Sequence, residues 1–171
     1  FDNNYAFYSG DYTYHNVYFT IPQATPFISL GKYNKVVFYG NANINNDCSF
    51  DTLVFSPGKI YSLEPGRVQT VKKYFDAKGN TCFPIYIKSS SSDNQAEISK
   101  SSDNVICDFL SITDIKVSGG ATFYAGNYTK AIGSKNEGWI YSNAPGYVYG
   151  FGPDTVLCEG DILQTYNFNG A

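Results

Sequence analysis

The one imidazole in the chain is His15, and it sits in an alternating run of Tyr and Val where a nucleophile partner would have to come from elsewhere. No Gly-x-Ser-x-Gly elbow occurs, so the pattern needed to raise a serine on a strained strand-to-helix turn is missing. Glycoside hydrolysis asks for less: two carboxyl groups across a bond. Glu137, Asp154, Glu159 and Asp161 could supply them, although their spacing selects no pair and solvated loop acids would look the same. Gly150-Phe151-Gly152 is half of a dinucleotide fingerprint without the third glycine or a following helix, and it reads as a turn.

Two stretches could bind rather than react. Asn41, Asn43 and Asn45 alternate behind the apolar run 36–39, so an extended backbone would put three amides, each donor and acceptor, on one face. Asn is equally a former of ordinary loops. In the segment 137–149, Trp139 and Tyr141 share one face, Tyr147 and Tyr149 another, and Pro145-Gly146 joins them. Such a hairpin would offer aromatic faces for the C–H faces of sugar rings, with Glu137 and Asn143 as polar partners. Packing of the same rings into the core is the competing reading.

The elements that must carry these groups are strands. The chain has 171 residues, enough for a single domain over 1–171 with a real core, and 43% are hydrophobic against 16% charged. Sixteen Tyr and 13 Phe favour pleated, half-buried surfaces. Along 12–19, Tyr12, Tyr14, Asn16 and Tyr18 alternate with Thr13, His15, Val17 and Phe19. Further strands are expected over 35–39, 52–55, 59–63, 67–75, 83–88, 105–117, 121–124, 139–142, 147–151 and 162–168, separated by turns such as Pro57-Gly58, Pro65-Gly66, Gly119-Gly120 and Pro145-Gly146. At most one or two helical turns are expected, over 93–100, and Ser89–Ser92 reads as a loop tip. Short strands with frequent turns predict an all-β antiparallel sandwich, galectin-like or jelly-roll-like.

Cys48, Cys82, Cys107 and Cys158 form no metal-ligand spacing, so no metal or organic cofactor is expected and two disulfides are. Closing the shorter loops gives Cys48–Cys82 and Cys107–Cys158, one of three possible pairings. Disulfides, together with the glycosylation sequon at Asn127, imply an extracellular setting. A net charge of −3 argues against a nucleic-acid partner. The cluster Arg67, Lys72, Lys73 and Lys78 reads as a solvated strand and turn or as an anion site. No apolar run is long enough to insert into a membrane, and with no signal-peptide pattern at Phe1 the chain reads as a mature protein or an excised ectodomain.

The stretch Ile44-Asn45-Asn46-Asp47-Cys48, then Leu53-Val54-Phe55 and Gly58-Lys59-Ile60-Tyr61-Ser62, resembles the cysteine, apolar strand and Gly-x-Tyr turn of coronavirus spike N-terminal domains. Gly120-Ala121-Thr122-Phe123-Tyr124-Ala125-Gly126-Asn127-Tyr128 is similar to another strand pair of those domains, which share their role with haemagglutinin-esterase lectin domains. The two stretches cover roughly a quarter of the chain and occur in a different order from the family's. The resemblance implies a galectin-like sandwich that attaches a particle to host glycan or receptor, and it transfers no binding residue. A single sequon and sparse cysteines depart from the family. Together these readings give a non-catalytic extracellular domain that binds a glycan or cell-surface receptor. A small secreted glycoside hydrolase and a structural coat or matrix domain are the alternatives.

Overall fold

The computed structural model of the chain describes residues 6–8, 12–22 and 25–147. Fourteen strands follow in order: β1 (Ala6–Tyr8), β2 (Thr13–Phe19), β3 (Phe27–Phe38), β4 (Ala42–Phe55), β5 (Ile60–Leu63), β6 (Val68–Ala77), β7 (Ile85–Ser89), β8 (Ala96–Ser99), β9 (Asn104–Ile106), β10 (Leu110–Thr113), β11 (Ile115–Ser118), β12 (Thr122–Tyr124), β13 (Lys130–Ile132) and β14 (Trp139–Ile140). Every strand pair is parallel. The expected antiparallel sandwich, and with it the galectin-like or jelly-roll topology, is therefore wrong. The chain coils into a β-solenoid of about 7 turns.

Register places the rungs on three faces. The first face stacks β1, the starts of β3 and β4, then β5, β7, β10 and β13. The second stacks the start of β2, the middles of β3 and β4, the start of β6, β8 and β11. On the third, the ends of β2, β3, β4 and β6 are stacked, and β9, β12 and β14 form a three-stranded sheet beyond them. Long strands such as β3 and β4 bend through two corners and serve all three faces, which is why the faces join into one 11-stranded network.

Inward-facing side chains form columns along the coil, because parallel in-register strands stack like positions every ~4.8 Å. On the first face, Ala42, Tyr61, Ile87 and Ile112 line up and are all buried. On the second, Tyr14, Tyr33 and Phe50 stack with ring centroids 5.5 and 5.3 Å apart. On the third, Phe19 stacks on Phe38 at 5.0 Å, and Phe38 tilts against Phe55 at 6.1 Å. Tyr61 lies flat on Phe55 at 3.8 Å, and its buried hydroxyl accepts from Ser56 N–H at 2.7 Å. These ladders use many of the aromatic rings, each pair worth about 0.5–1.5 kcal/mol beyond area burial.

Corners are made by residues that tolerate the left-handed region. Asn46 (φ 54°) turns the chain from the first face to the second; its side-chain amide donates to Ser29 Oγ at 2.8 Å, and its backbone carbonyl accepts from Gln69 Nε2 at 2.8 Å. Asp114 (φ 56°) does the same two rungs on from β5, accepting from Asp93 N–H at 3.0 Å. Asn and Asp reach this region at little cost because their short side chains bond locally. Two corners, at Phe109 (φ 51°) and Asp114, divide what reads as one strand over 105–117 into β9, β10 and β11. Residues 93–100 end in β8 rather than in helical turns, and no helix occurs among the described residues.

The cysteine pairing is also corrected. Cys48 and Cys107 are free and buried, so neither Cys48–Cys82 nor Cys107–Cys158 is formed; no two of the described cysteines are joined, and Cys158 lies outside the described residues. Cys48 occupies an inward column with Gln69, Ile98 and Val117. Burial, with help from the Asp47 charge, pushes its thiol up to about 12, and burial likewise raises Cys107. Raised thiol values suppress the reactive thiolate at neutral pH. Both thiols should therefore resist iodoacetamide in the native protein and react after denaturation without reductant. Peptide mapping reads this directly, and failure of either cysteine to alkylate in denaturant would restore a disulfide.

Candidate functional site: the first outer face

Of the hairpin expected over 137–149, residues 148 and 149 lie outside the described residues, and the first arm does not form the solvent-facing platform expected of it. Trp139 begins the two-residue strand β14, which pairs parallel with β12, and its ring is only 7% exposed. Its Nε1–H donates to Ile115 O at 3.0 Å, and its ring meets Phe123 edge-on at 5.6 Å. Trp139 is thus a core residue and has no face to offer a sugar. Tyr141 is half exposed, Tyr147 lies with Lys78 Nζ 5.7 Å over its ring, and Tyr149 falls outside the described residues. Glu137 accepts from Gln95 Nε2 at 3.1 Å, while Asn143 and Asn127 exchange backbone-to-side-chain bonds at 3.2 and 3.3 Å. The Asn127 side chain is exposed, as a glycan acceptor requires. The structure does not gather the described ones among these residues into one site.

It does bring together the amide row. Asn43 and Asn45 lie in β4 on the first face, pointing outward between buried Ala42 and Ile44, and Asn41 sits at its head, accepting from Ile60 N–H at 2.9 Å. The loop reading of this stretch is thereby corrected for Asn43 and Asn45. Register extends the row across rungs: Phe27, Asn43, Ser62, Lys88, Thr113 and Ile132 form one outward column. A second column, two residues back, holds Ile60, Tyr86, Ser111 and Lys130, of which Ser111 is buried and the other three are exposed. Phe27, Ile60 and Tyr86 are 36–42% exposed, so apolar and aromatic surface alternates with polar heads on a flat, hydrogen-bonded support.

The electrostatic state of this face differs from that of the second. Around the second face the charges are matched to one another: Arg67 to Asp47 and Glu64, Lys116 to Glu97, and Lys73 to Asp51 at 2.7 Å. The Lys73 hydrogen bond holds Asp51 below the usual carboxylate range. The basic cluster read from the sequence is to that extent spent on neighbouring acids. On the first face, by contrast, the side chains of Asn43, Asn45, Ser62, Lys88 and Thr113 have no hydrogen-bond or ion-pair partner among the described residues. Unpartnered donors and acceptors in a fixed row can take the hydroxyls of an extended ligand without first breaking a bond.

Several chemistries lack support here. No three His, Cys, Asp or Glu residues among those described come close enough to hold a metal ion, and His15 is exposed at the corner between the second and third faces. Of the acids considered for a hydrolase, Asp154, Glu159 and Asp161 lie outside the described residues. The fold defines a parallel β-solenoid with a polar and aromatic outer face. Comparison with known proteins gives no match to a protein-family model, to a curated protein or to a solved structure.

Proposed function

We propose that this domain is a non-catalytic recognition module, acting outside the cell, whose first outer face binds an extended glycan on a cell or particle surface. The observation that carries the reading is the unpartnered row Asn43, Ser62, Lys88 and Thr113 beside half-exposed Phe27, Ile60 and Tyr86. Sugars present alternating C–H faces and hydroxyls, and the two outward columns present the matching apolar and polar groups. Rungs repeat every ~4.8 Å along the coil, so a linear chain laid along the axis meets equivalent groups again and again. The sheet costs little entropy on binding because its backbone is already fixed. Attachment to a surface is the role this geometry serves.

A glycan array with the isolated domain tests the proposal, followed by titration of the best ligand against Tyr86→Ala and Asn43→Ala. Each change should weaken binding about tenfold, equivalent to ~1.4 kcal/mol. Both side chains face solvent, so stability should stay within about 0.5 kcal/mol of the parent. Absence of any array ligand, or undiminished binding by both variants, would contradict the proposal.

A further inference from the structure

Resting on that glycan reading, we infer that the ligand is anionic, and that Lys88 and Lys130 read its acidic groups. Lys88 stands in the outward column of the first face and Lys130 in the column beside it, both exposed. Neither is ion-paired among the described residues, whereas Arg67, Lys73, Lys100 and Lys116 all are. The two outward columns hold no Asp or Glu from Phe27 to Ile132, and Glu64, which follows Leu63 beside Asn45, is turned to Asn46 N–H and Arg67. Lys130 lies two rungs beyond Lys88, roughly 9–10 Å along the coil axis, about the length of a disaccharide unit. A linear glycan with an acidic group on alternate sugars would therefore set its charges beside both ammonium groups while its rings lie over Tyr86 and Ile60.

The chain as a whole carries −3, so its long-range field opposes a polyanion. Recognition then depends on the local pair, because exposed charges are screened beyond a Debye length of about 8–10 Å. An ammonium is a compact point charge that reads carboxylate and sulfate alike, so the chemistry assigned is anionic rather than tied to one acid.

The test compares neutral dextran, dextran sulfate and inorganic polyphosphate as probes of the full chain. The parent should bind dextran sulfate at least about tenfold more tightly than dextran, with affinity falling as salt rises, and should bind polyphosphate weakly. Lys88→Gln/Lys130→Gln should remove that preference, while Lys73→Gln/Lys116→Gln, which removes the same charge from ion-paired positions, should not. Equal binding of dextran and dextran sulfate overturns the anionic inference and leaves the glycan reading standing. Polyphosphate binding as tight as dextran sulfate, or an equal loss in the two double variants, overturns it as non-specific charge attraction. If none of the probes binds and the glycan array is also empty, both readings fall.

Discussion

Trp139→Ala should destabilise the domain by about 3–5 kcal/mol, the range for deleting a buried aromatic side chain. The indole is 7% exposed and packs edge-on against Phe123, within the three-stranded sheet of β9, β12 and β14. Its Nε1–H donates to Ile115 O, so truncation also strips a buried carbonyl of its donor. Trp139→Phe should recover most of the packing but not that hydrogen bond, and should fall between the two. Urea melts of the three proteins check the order. A small stability loss in Trp139→Ala accompanied by a large loss of glycan binding would place recognition back on the segment 137–147.

Asp108 governs the next largest effect, and it adds a pH signature. Its carboxyl is wholly buried at the corner before the first face; Oδ1 accepts from Phe109 N–H at 2.9 Å and Tyr128 N–H at 3.2 Å, and Oδ2 has no hydrogen-bond partner. Gly126 makes room for it, since a Cβ there would lie 2.3 Å from Oδ1. Asp108→Ala takes the acceptor from two backbone donors and should cost about 1–3 kcal/mol for each. Burial raises the carboxyl above its ordinary value of 3.8, against the pull of those two donors. The folded protein therefore keeps this proton to a higher pH than the unfolded chain does. Between the unfolded value and the raised folded one, the contribution of Asp108 falls as pH rises, and above the folded value it is constant. Asp108→Asn keeps an acceptor and can neither gain nor lose the charge. The stability of the parent relative to Asp108→Asn should decline through the acidic range and then level off. A difference that is flat with pH, or that grows with pH, would contradict the burial of this charge.

Strand content and many strand positions were legible in the sequence, because alternation and turn residues act locally. Pairing was not. Gly and Pro turn signals mark where a strand stops, and they look the same whether the chain doubles back or rounds a corner to the next face. Parallel neighbours need a connection of a dozen or more residues, and equivalent positions here recur at unequal intervals, from 16 residues between Phe27 and Asn43 to 29 between Gln69 and Ile98. That irregularity hides the repeat. Corners also break parity: Tyr14 packs inward on Tyr33, yet Val17 and Phe19, rather than Asn16 and Tyr18, join the inward columns after the bend. Phe109 at φ 51° is a corner that no residue preference announces.

The site was half visible for the same reason. Asn43 and Asn45 share a face because side chains alternate along any strand, and the sequence shows that directly. Tyr86, Lys88 and Lys130 join them only through register across rungs, which no local pattern encodes. Trp139 was misplaced by the opposite error: an aromatic pair flanking Pro145-Gly146 looks like a platform, but β14 ends at Ile140 and the indole turns into the coil. The resemblance to viral attachment domains implied a sandwich that the parallel coil does not have.

Chemical-shift mapping of the isotope-labelled domain, titrated with its best array ligand, tests the location of recognition most directly. Backbone amides of 43–45, 60–62, 86–88 and 111–113 should shift together, because they share one outer face of the coil. Shifts centred on 137–147 instead, with the first face unmoved, would contradict the account.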